Sequence, residues 1–147
     1  MTPLVLRGRV LAPGAASGAA LVLEEPLSLW GGMDPATGRV IDAHHPQHDA
    51  LLTGRVLVMD SARGSSSSSS ILAEAVRAGT APAAILLGEA DLILPIGAAV
   101  AGELYGRRVP IVVVTPEKLA RIADGAAVTV EESGLVRVNS GYRRSIG

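Results

Sequence analysis

The chain has 147 residues, a net charge of −1, no cysteine and only 2% aromatic residues. This is the length of one domain with Val, Leu, Ile and Ala to fill its core, and the charge argues against a nucleic-acid partner. The composition excludes a disulfide scaffold and thiolate ligation of zinc or an iron–sulfur cluster, and no apolar stretch approaches the roughly 18 residues of a membrane span. We therefore expect a single domain over residues 1–147, in the cytoplasm and without a membrane partner.

The N-terminal part of the chain predicts two strands followed by a long irregular segment. Residues 4–11 have the apolar character of a strand, Pro13-Gly14 predicts a turn, and residues 18–23 form a candidate partner strand. Between residues 24 and 53, Pro and Gly recur too often for a long helix, and only 39–41 is predicted to be extended. A loop this long in a compact domain is usually functional or covers a partner surface.

After Gly54 the pattern becomes that of an α/β domain. A strand at 56–59, a helix at 68–78 and a strand at 83–87 predict a βαβ unit with parallel strands, because such crossovers are right-handed. The remaining predicted elements are a small-residue helix over 98–105, a strand over 109–114, a short helix over 116–123 with Thr115 as N-cap, and a hairpin of strands 126–131 and 135–139. The fold class is therefore α/β, with antiparallel hairpins at both ends.

A run of six serines, 65–70, lies at the turn between the strand 56–59 and the helix that follows. At a helix N-terminus the first backbone N–H groups lack intrahelical partners, and the macrodipole is positive. Arg63 adds a charge and Gly64 lets a ligand approach the backbone, so this turn can bind an anion or stabilise an ionised serine hydroxyl. Two other interpretations stay open: serines that only cap the helix, and a flexible linker.

A glycine-rich segment over 30–38 and three histidines precede this turn. Asp34-Pro35 is typical of a tight loop, so a purely structural turn is one interpretation of the segment. His44, His45 and His48 lack carboxylates or cysteines at helical spacing, which favours solvent or partner contact over metal ligation. Asp60, just before the serine turn, is either an orienting group for a serine or a loop cap.

Several motifs in order along the chain resemble the small subunit of the aconitase X family. They are Gly31-Gly32-Met33-Asp34-Pro35-x-Thr37-Gly38, His45-Pro46, Arg63-Gly64-Ser65-x-Ser67, and Leu104-Tyr105-Gly106 ahead of Val109-Pro110-Ile111-Val112-Val113. The resemblance covers nearly the whole chain. It implies a swivelling β/β/α domain similar to the aconitase swivel, with a mixed sheet and flanking helices, that closes over a separate large catalytic subunit.

The activity implied by the resemblance is that of a dehydratase, a hydro-lyase that removes water from a hydroxy acid. The family's substrates are cis-3-hydroxy-L-proline, chiefly in bacteria, and 5-phosphomevalonate, chiefly in archaea. The resemblance also implies no cofactor in this chain, and an iron or iron–sulfur centre on the large subunit as the Lewis acid for the leaving hydroxyl.

The resemblance carries the family's site residues onto the serine turn. The general base is the serine after the motif glycine, which is Ser65. Arg63, Gly64, Ser66 and Ser67 become candidates for substrate contact, whereas Ser68 to Ser70 are expected only to begin the helix. Ala62 stands where the family pattern predicts glycine.

The choice of substrate and two rival functions depend on other features. The single lysine, Lys118, in an Arg-rich and Ala-rich chain suggests a high-GC genome, which favours the bacterial substrate, cis-3-hydroxy-L-proline. A mobile phosphohistidine domain shares the swivelling architecture, but it needs a histidine at a helix start and none follows His48. A non-catalytic swivel-fold binding or regulatory module stays open as an alternative.

Overall fold

The computed structural model describes residues 3–62 and 66–139. The strands are β1 Leu4–Arg7, β2 Arg9–Ala12, β3 Ala16–Val22, β4 Val56–Met59, β5 Ala84–Leu87, β6 Ile111–Val113, β7 Ala127–Val130 and β8 Leu135–Asn139. The helices are α1 Leu29–Gly32, α2 Ser67–Ala78, α3 Leu94–Tyr105 and α4 Pro116–Leu119, of which α1 is a short turn with non-helical backbone at Trp30 and Gly31. The described strands form one eight-stranded sheet in the order β1-β8-β7-β3-β4-β5-β6-β2.

The centre of the sheet is parallel. β3 pairs with β4, β4 with β5, and β5 with β6, all in parallel register, so the predicted βαβ unit is confirmed. Every residue of β4 and β5 is buried, as expected for parallel strands covered on both faces. Since the carboxyl ends of parallel strands meet at one edge, the loops after β3, β4 and β5 all leave from the same edge.

Alternate residues of the central strands pack into two cores. On one face, Leu57 and Ile85 pack with Leu72 of α2, and the buried hydrophobic residues of α3, Leu94, Ala98 and Ala101, belong to this core as well. On the other face, Val58 and Leu86 pack with apolar residues of β7, β8 and α4. Each of these buried aliphatic side chains stabilises the fold by about 1.5–3 kcal/mol relative to exposure. The layers confirm the expected β/β/α domain with a mixed sheet and flanking helices.

The predicted N-terminal hairpin is wrong. The chain divides at Gly8, so that β1 pairs with β8 and β2 pairs with β6, while β3 pairs with β7 and β4. A Cβ atom at Gly8 would contact the Val112 side chain and lie 2.7 Å from the carbonyl oxygen of Val113. Glycine therefore permits the chain to pass from one half of the sheet to the other, where a continuous strand over 4–11 would not fit.

Two helices differ from their predicted bounds by four residues each. α3 begins four residues early because the Asp91 carboxylate accepts the N–H groups of Ile93 and Leu94, at 3.0 and 2.7 Å. α4 ends at Leu119, and Thr115 occupies its N-cap position without a side-chain capping bond. The C-terminal hairpin is confirmed, with β7 and β8 antiparallel. Among residues 3–62 and 66–139, no helix has the length and apolar character that crossing a membrane requires.

Candidate functional site

The serine turn lies at the edge of the sheet where the parallel strands end. Arg63, Gly64 and Ser65 fall outside the described residues, so their predicted roles stay predictions. Ser66 is the N-cap of α2; it is exposed, and its side chain makes no capping hydrogen bond. Its carbonyl oxygen instead accepts the Ser69 hydroxyl, at 2.8 Å. Ser66 and Ser67 therefore occupy the first turn of the helix, where the candidate substrate contacts were predicted.

The positive end of α2 is not neutralised by its own first turn. The described helix has no acidic residue there, and its basic residue Arg77 lies in the last turn. The hydrogen bond from Arg77 lowers the pKa of Glu74; desolvation opposes this change, and the Arg77 charge adds to it. This ion pair lies on an exposed face in the second half of the helix. The N-terminal turn therefore keeps the partial positive charge that suits an anionic substrate group.

Ser68 has a different role from the one predicted for it. Its side chain is buried, and its hydroxyl oxygen accepts the backbone N–H of Trp30 at 3.3 Å. The Ser28 hydroxyl donates to the Trp30 carbonyl oxygen at 3.1 Å, so the Ser68 proton points to the Ser28 oxygen, 3.4 Å away. The expectation that Ser68 only begins the helix is wrong, because its hydroxyl holds the preceding loop against α2.

The glycine-rich loop thereby lies beside the serine turn. Leu27 forms a parallel bridge with Ala62, the last described residue before the turn. Leu29 and Met33 are buried on either side of Trp30, whose side chain is 58% exposed. Gly31 has a φ of 79°, a left-handed conformation that favours glycine. The fold thus brings together two motifs about thirty positions apart in the sequence.

The rest of the glycine-rich segment is structural. The Asp34 carbonyl oxygen accepts the Gly38 N–H at 2.8 Å, and the Asp34 carboxylate accepts the Ala36 N–H at 2.9 Å. Gly38 has a φ of 78°, and a Cβ atom there would contact Thr53. This tight turn supports the structural interpretation for residues 34–38.

The three histidines do not form a site together. His45 is buried, and its Nδ1 accepts the Gln47 N–H at 3.0 Å, which leaves the proton on Nε2 to be donated to the Glu25 carbonyl oxygen, also at 3.0 Å. His44 and His48 are exposed. In the described parts of the chain, no group of three or more His, Cys, Asp or Glu residues could hold a metal ion. His45 is therefore a structural residue of the long loop.

Helix α3 also contacts the first turn of α2. A Cβ atom at Gly97 would contact the Ser69 carbonyl oxygen and lie 3.0 Å from the Ser69 Cα atom. A groove of about 230 Å³ runs between the two helices and is lined by Ser69, Val100 and Tyr105, among others. Sequence analysis missed this contact. Its only signal was the small-residue pair Gly97 and Ala101, four positions apart on one helix face.

Comparison with known proteins decides the family. Residues 5–138 match the aconitase X swivel domain. The chain belongs to this family. Its fold is that of the crystal structure of Thermococcus kodakaraensis aconitase X in its holo-form, with a TM-score of 0.83 and 32% identity over 93% of this chain and 99% of that chain. The motif resemblance to aconitase X is therefore confirmed.

Relatives of this swivel domain occur in two contexts. A cis-3-hydroxy-L-proline dehydratase of Pseudomonas aeruginosa is 52% identical over 103 residues, which are 70% of this chain but only 18% of that protein. A phosphomevalonate dehydratase small subunit of Thermococcus onnurineus is 35% identical over 134 residues, 90% of this chain and 97% of that protein. The chain therefore spans less than a fifth of one relative and nearly all of the other.

Proposed function

We propose that this chain is the small subunit of a two-chain aconitase X-type dehydratase, which removes water from a hydroxy acid at a site shared with a large subunit. One observation carries the proposal: the same swivel domain occurs in named dehydratases, both as 18% of a longer protein and as 97% of a small subunit. The exposed first turn of α2 supports it, because it offers hydroxyls and a positive helix end at the sheet edge.

For the substrate, we favour cis-3-hydroxy-L-proline. The matched region is 52% identical to the Pseudomonas aeruginosa dehydratase named for this substrate and 40% identical to one from Hypocrea jecorina. A second candidate, 5-phosphomevalonate, is favoured by chain organisation, since two small subunits named for it, from Thermococcus onnurineus and Pyrococcus furiosus, match this chain over 97 and 94% of their length. The two candidates differ chemically, because only the second needs cationic groups for a phosphate.

In this proposal, Ser65 is the general base. Its alkoxide accepts the proton from the carbon next to the substrate carboxylate, and the hydroxyl on the neighbouring carbon leaves. An alkoxide is unfavourable at neutral pH, so it needs nearby positive charge, which Arg63 and the N-terminus of α2 supply. The substrate carboxylate is bound by the N–H group of Gly64 and by the N–H groups and hydroxyls of Ser66 and Ser67.

An iron or iron–sulfur centre belongs, in this proposal, to the large subunit. This chain does not fit such a group: it has no cysteine, and its described residues contain no cluster of metal-ligating side chains. When bound to the partner, the centre supplies Lewis-acid chemistry for the leaving hydroxyl. The residues of this chain bind the substrate and move the proton.

The test is turnover by the chain together with its large subunit, with Ser65→Ala compared against Ser70→Ala. Ser70 is an exposed serine of the same run and is the matched control. We expect Ser65→Ala to lose at least about a thousandfold in kcat, as for loss of a general base, with complex formation unchanged, and Ser70→Ala to keep wild-type turnover. Near-wild-type activity of Ser65→Ala would reject the assigned base. A wild-type pair that acts on neither substrate would reject both candidate substrates and leave the family membership standing.

A further inference from the structure

Helix α3 presents an unusual surface to solvent. Leu92, Ile96, Val100 and Leu104 recur every four residues, so the three within α3 lie along one face, with Leu92 just before its start. Their exposed fractions range from 40 to 84%. We call these four residues the α3 ridge. A surface helix normally turns charged residues to water, but Glu103 is the single charged residue of α3.

The ridge is large enough to be an interface. Together with Tyr105 it exposes on the order of 500 Å² of apolar surface, which is towards the upper end of the largest patch on a typical monomer, and such patches are often functional. A standard interface buries about 800 Å² on each partner, so the ridge would supply more than half of one. Other exposed apolar side chains in the described residues, such as Val5 on β1, lie on separate elements.

The ridge is also continuous with the candidate site. Val100 and Tyr105 line the groove that reaches Ser69, and Gly97 holds α3 directly against Ser69. Ser68, the residue before it, holds the loop that carries exposed Trp30. The ridge helix and the Trp30 loop therefore both contact the first turn of α2, through consecutive serines. A partner that covers both surfaces would lie beside this turn.

We propose that the α3 ridge is the docking surface for the large subunit of the dehydratase. This inference rests on the proposed function, and it adds the face by which the two chains meet. The occupant follows from the relatives: in the dehydratases of Pseudomonas aeruginosa and Hypocrea jecorina the matched region is 18% of the protein, so a much larger body of protein accompanies the domain. A partner on this ridge lies next to the serine turn, as a shared site requires.

The test measures binding of the purified large subunit to this chain by calorimetry, separately from turnover. The variants are the double substitution Ile96→Asp/Leu104→Asp and the single Leu92→Asp, with Val5→Asp as control. All four positions are at least 48% exposed, so each variant should keep its fold, as circular dichroism will show. We expect the double variant to bind about a hundredfold more weakly and Leu92→Asp about tenfold more weakly, with the control within about twofold of wild type.

Three other binding results would contradict the docking surface. Wild-type affinity in both ridge variants would overturn the docking surface and leave the proposed function standing. A wild-type chain that does not bind the large subunit would reject the proposed function and the docking surface with it. Self-association of the wild-type chain that is lost in the ridge variants, seen by sedimentation with no change in large-subunit binding, would assign the ridge to a second copy and overturn the proposal.

Discussion

The contact between Gly97 and Ser69 predicts that a Gly→Ala substitution changes the free energy of unfolding in opposite directions at two positions of α3. Gly97→Ala places a methyl group against the Ser69 carbonyl oxygen and 3.0 Å from its Cα atom. The obstruction is backbone rather than a flexible side chain, so the two helices must separate. Gly102→Ala, in the same helix, meets nothing within 4 Å.

The expected changes in the free energy of unfolding follow from two opposing effects. Alanine is better than glycine in a helix interior by up to about 1 kcal/mol, and this gain applies at both positions. Overpacking costs about 1–3 kcal/mol, with the upper end expected against backbone, and applies only at Gly97. We therefore expect Gly97→Ala to lower the free energy of unfolding by about 2 kcal/mol and Gly102→Ala to raise it by up to about 1 kcal/mol. For a domain of this size, about 1 kcal/mol corresponds to roughly 3 °C in Tm.

Urea denaturation measures the free energy of unfolding of each variant, and thermal unfolding measures its Tm. Gly97→Ala should also lower turnover of the assembled enzyme, because moving α3 shifts Ser69 and the turn before it. A Gly97→Ala variant as stable as Gly102→Ala would refute the close approach of the helices. A destabilised variant with wild-type turnover would refute the link between that contact and the site.

Two further predictions concern α2. Ser68→Ala removes the buried acceptor of the Trp30 N–H, so it should lower the free energy of unfolding by about 1–2 kcal/mol and increase acrylamide quenching of this tryptophan, the single one in the chain. Glu74→Gln should lower Tm slightly near pH 7 and leave it unchanged near pH 3, measured by calorimetry. The hydrogen bond from Arg77 lowers the pKa of Glu74, so the stabilisation is present above the ordinary pKa of the carboxyl and is lost as the pH falls through the lowered pKa of the folded state.

Ser68→Ala has a control variant, and Glu74→Gln has a pH dependence that would contradict its prediction. Ser70→Ala, at an exposed serine of the same helix, is the control for Ser68→Ala, and equal quenching in the two would contradict the assigned hydrogen bond. For Glu74→Gln, an effect on Tm that grows towards low pH would contradict the direction of the pKa change, because a protonated carboxyl no longer pairs with Arg77.

The local sequence pattern was sufficient to predict the central strands and the helix between them. The strand 56–59 has the predicted bounds and α2 begins one residue before its predicted start, because an apolar run followed by a helix-period pattern has one favourable arrangement in a buried parallel sheet. The C-terminal hairpin was equally predictable, since its turn residues separate two alternating segments.

The N-terminal strands were not predictable in the same way. Residues 4–11 have a strand pattern throughout, but the partners of β1 and β2 lie about a hundred residues or more away in sequence. Periodicity reports which face of a strand is buried and not which strand lies beside it. Gly8 decides the division because a side chain there would overlap Val112, and this contact exists only once the sheet has formed.

The serine turn shows the same difference at the candidate site. From the sequence alone, the turn could be placed between a strand and a helix, and its motif order was enough to indicate the aconitase X family. The motif resemblance singled out Ser65 to Ser67 as site candidates, but only the tertiary structure shows how Ser66, Ser68 and Ser69 differ in their packing. Ser68 is buried beneath the Trp30 loop and Ser69 packs under Gly97, while Ser66 stays exposed at the helix start. Six identical side chains carry no local difference, so their roles depend on which distant residues pack against each one.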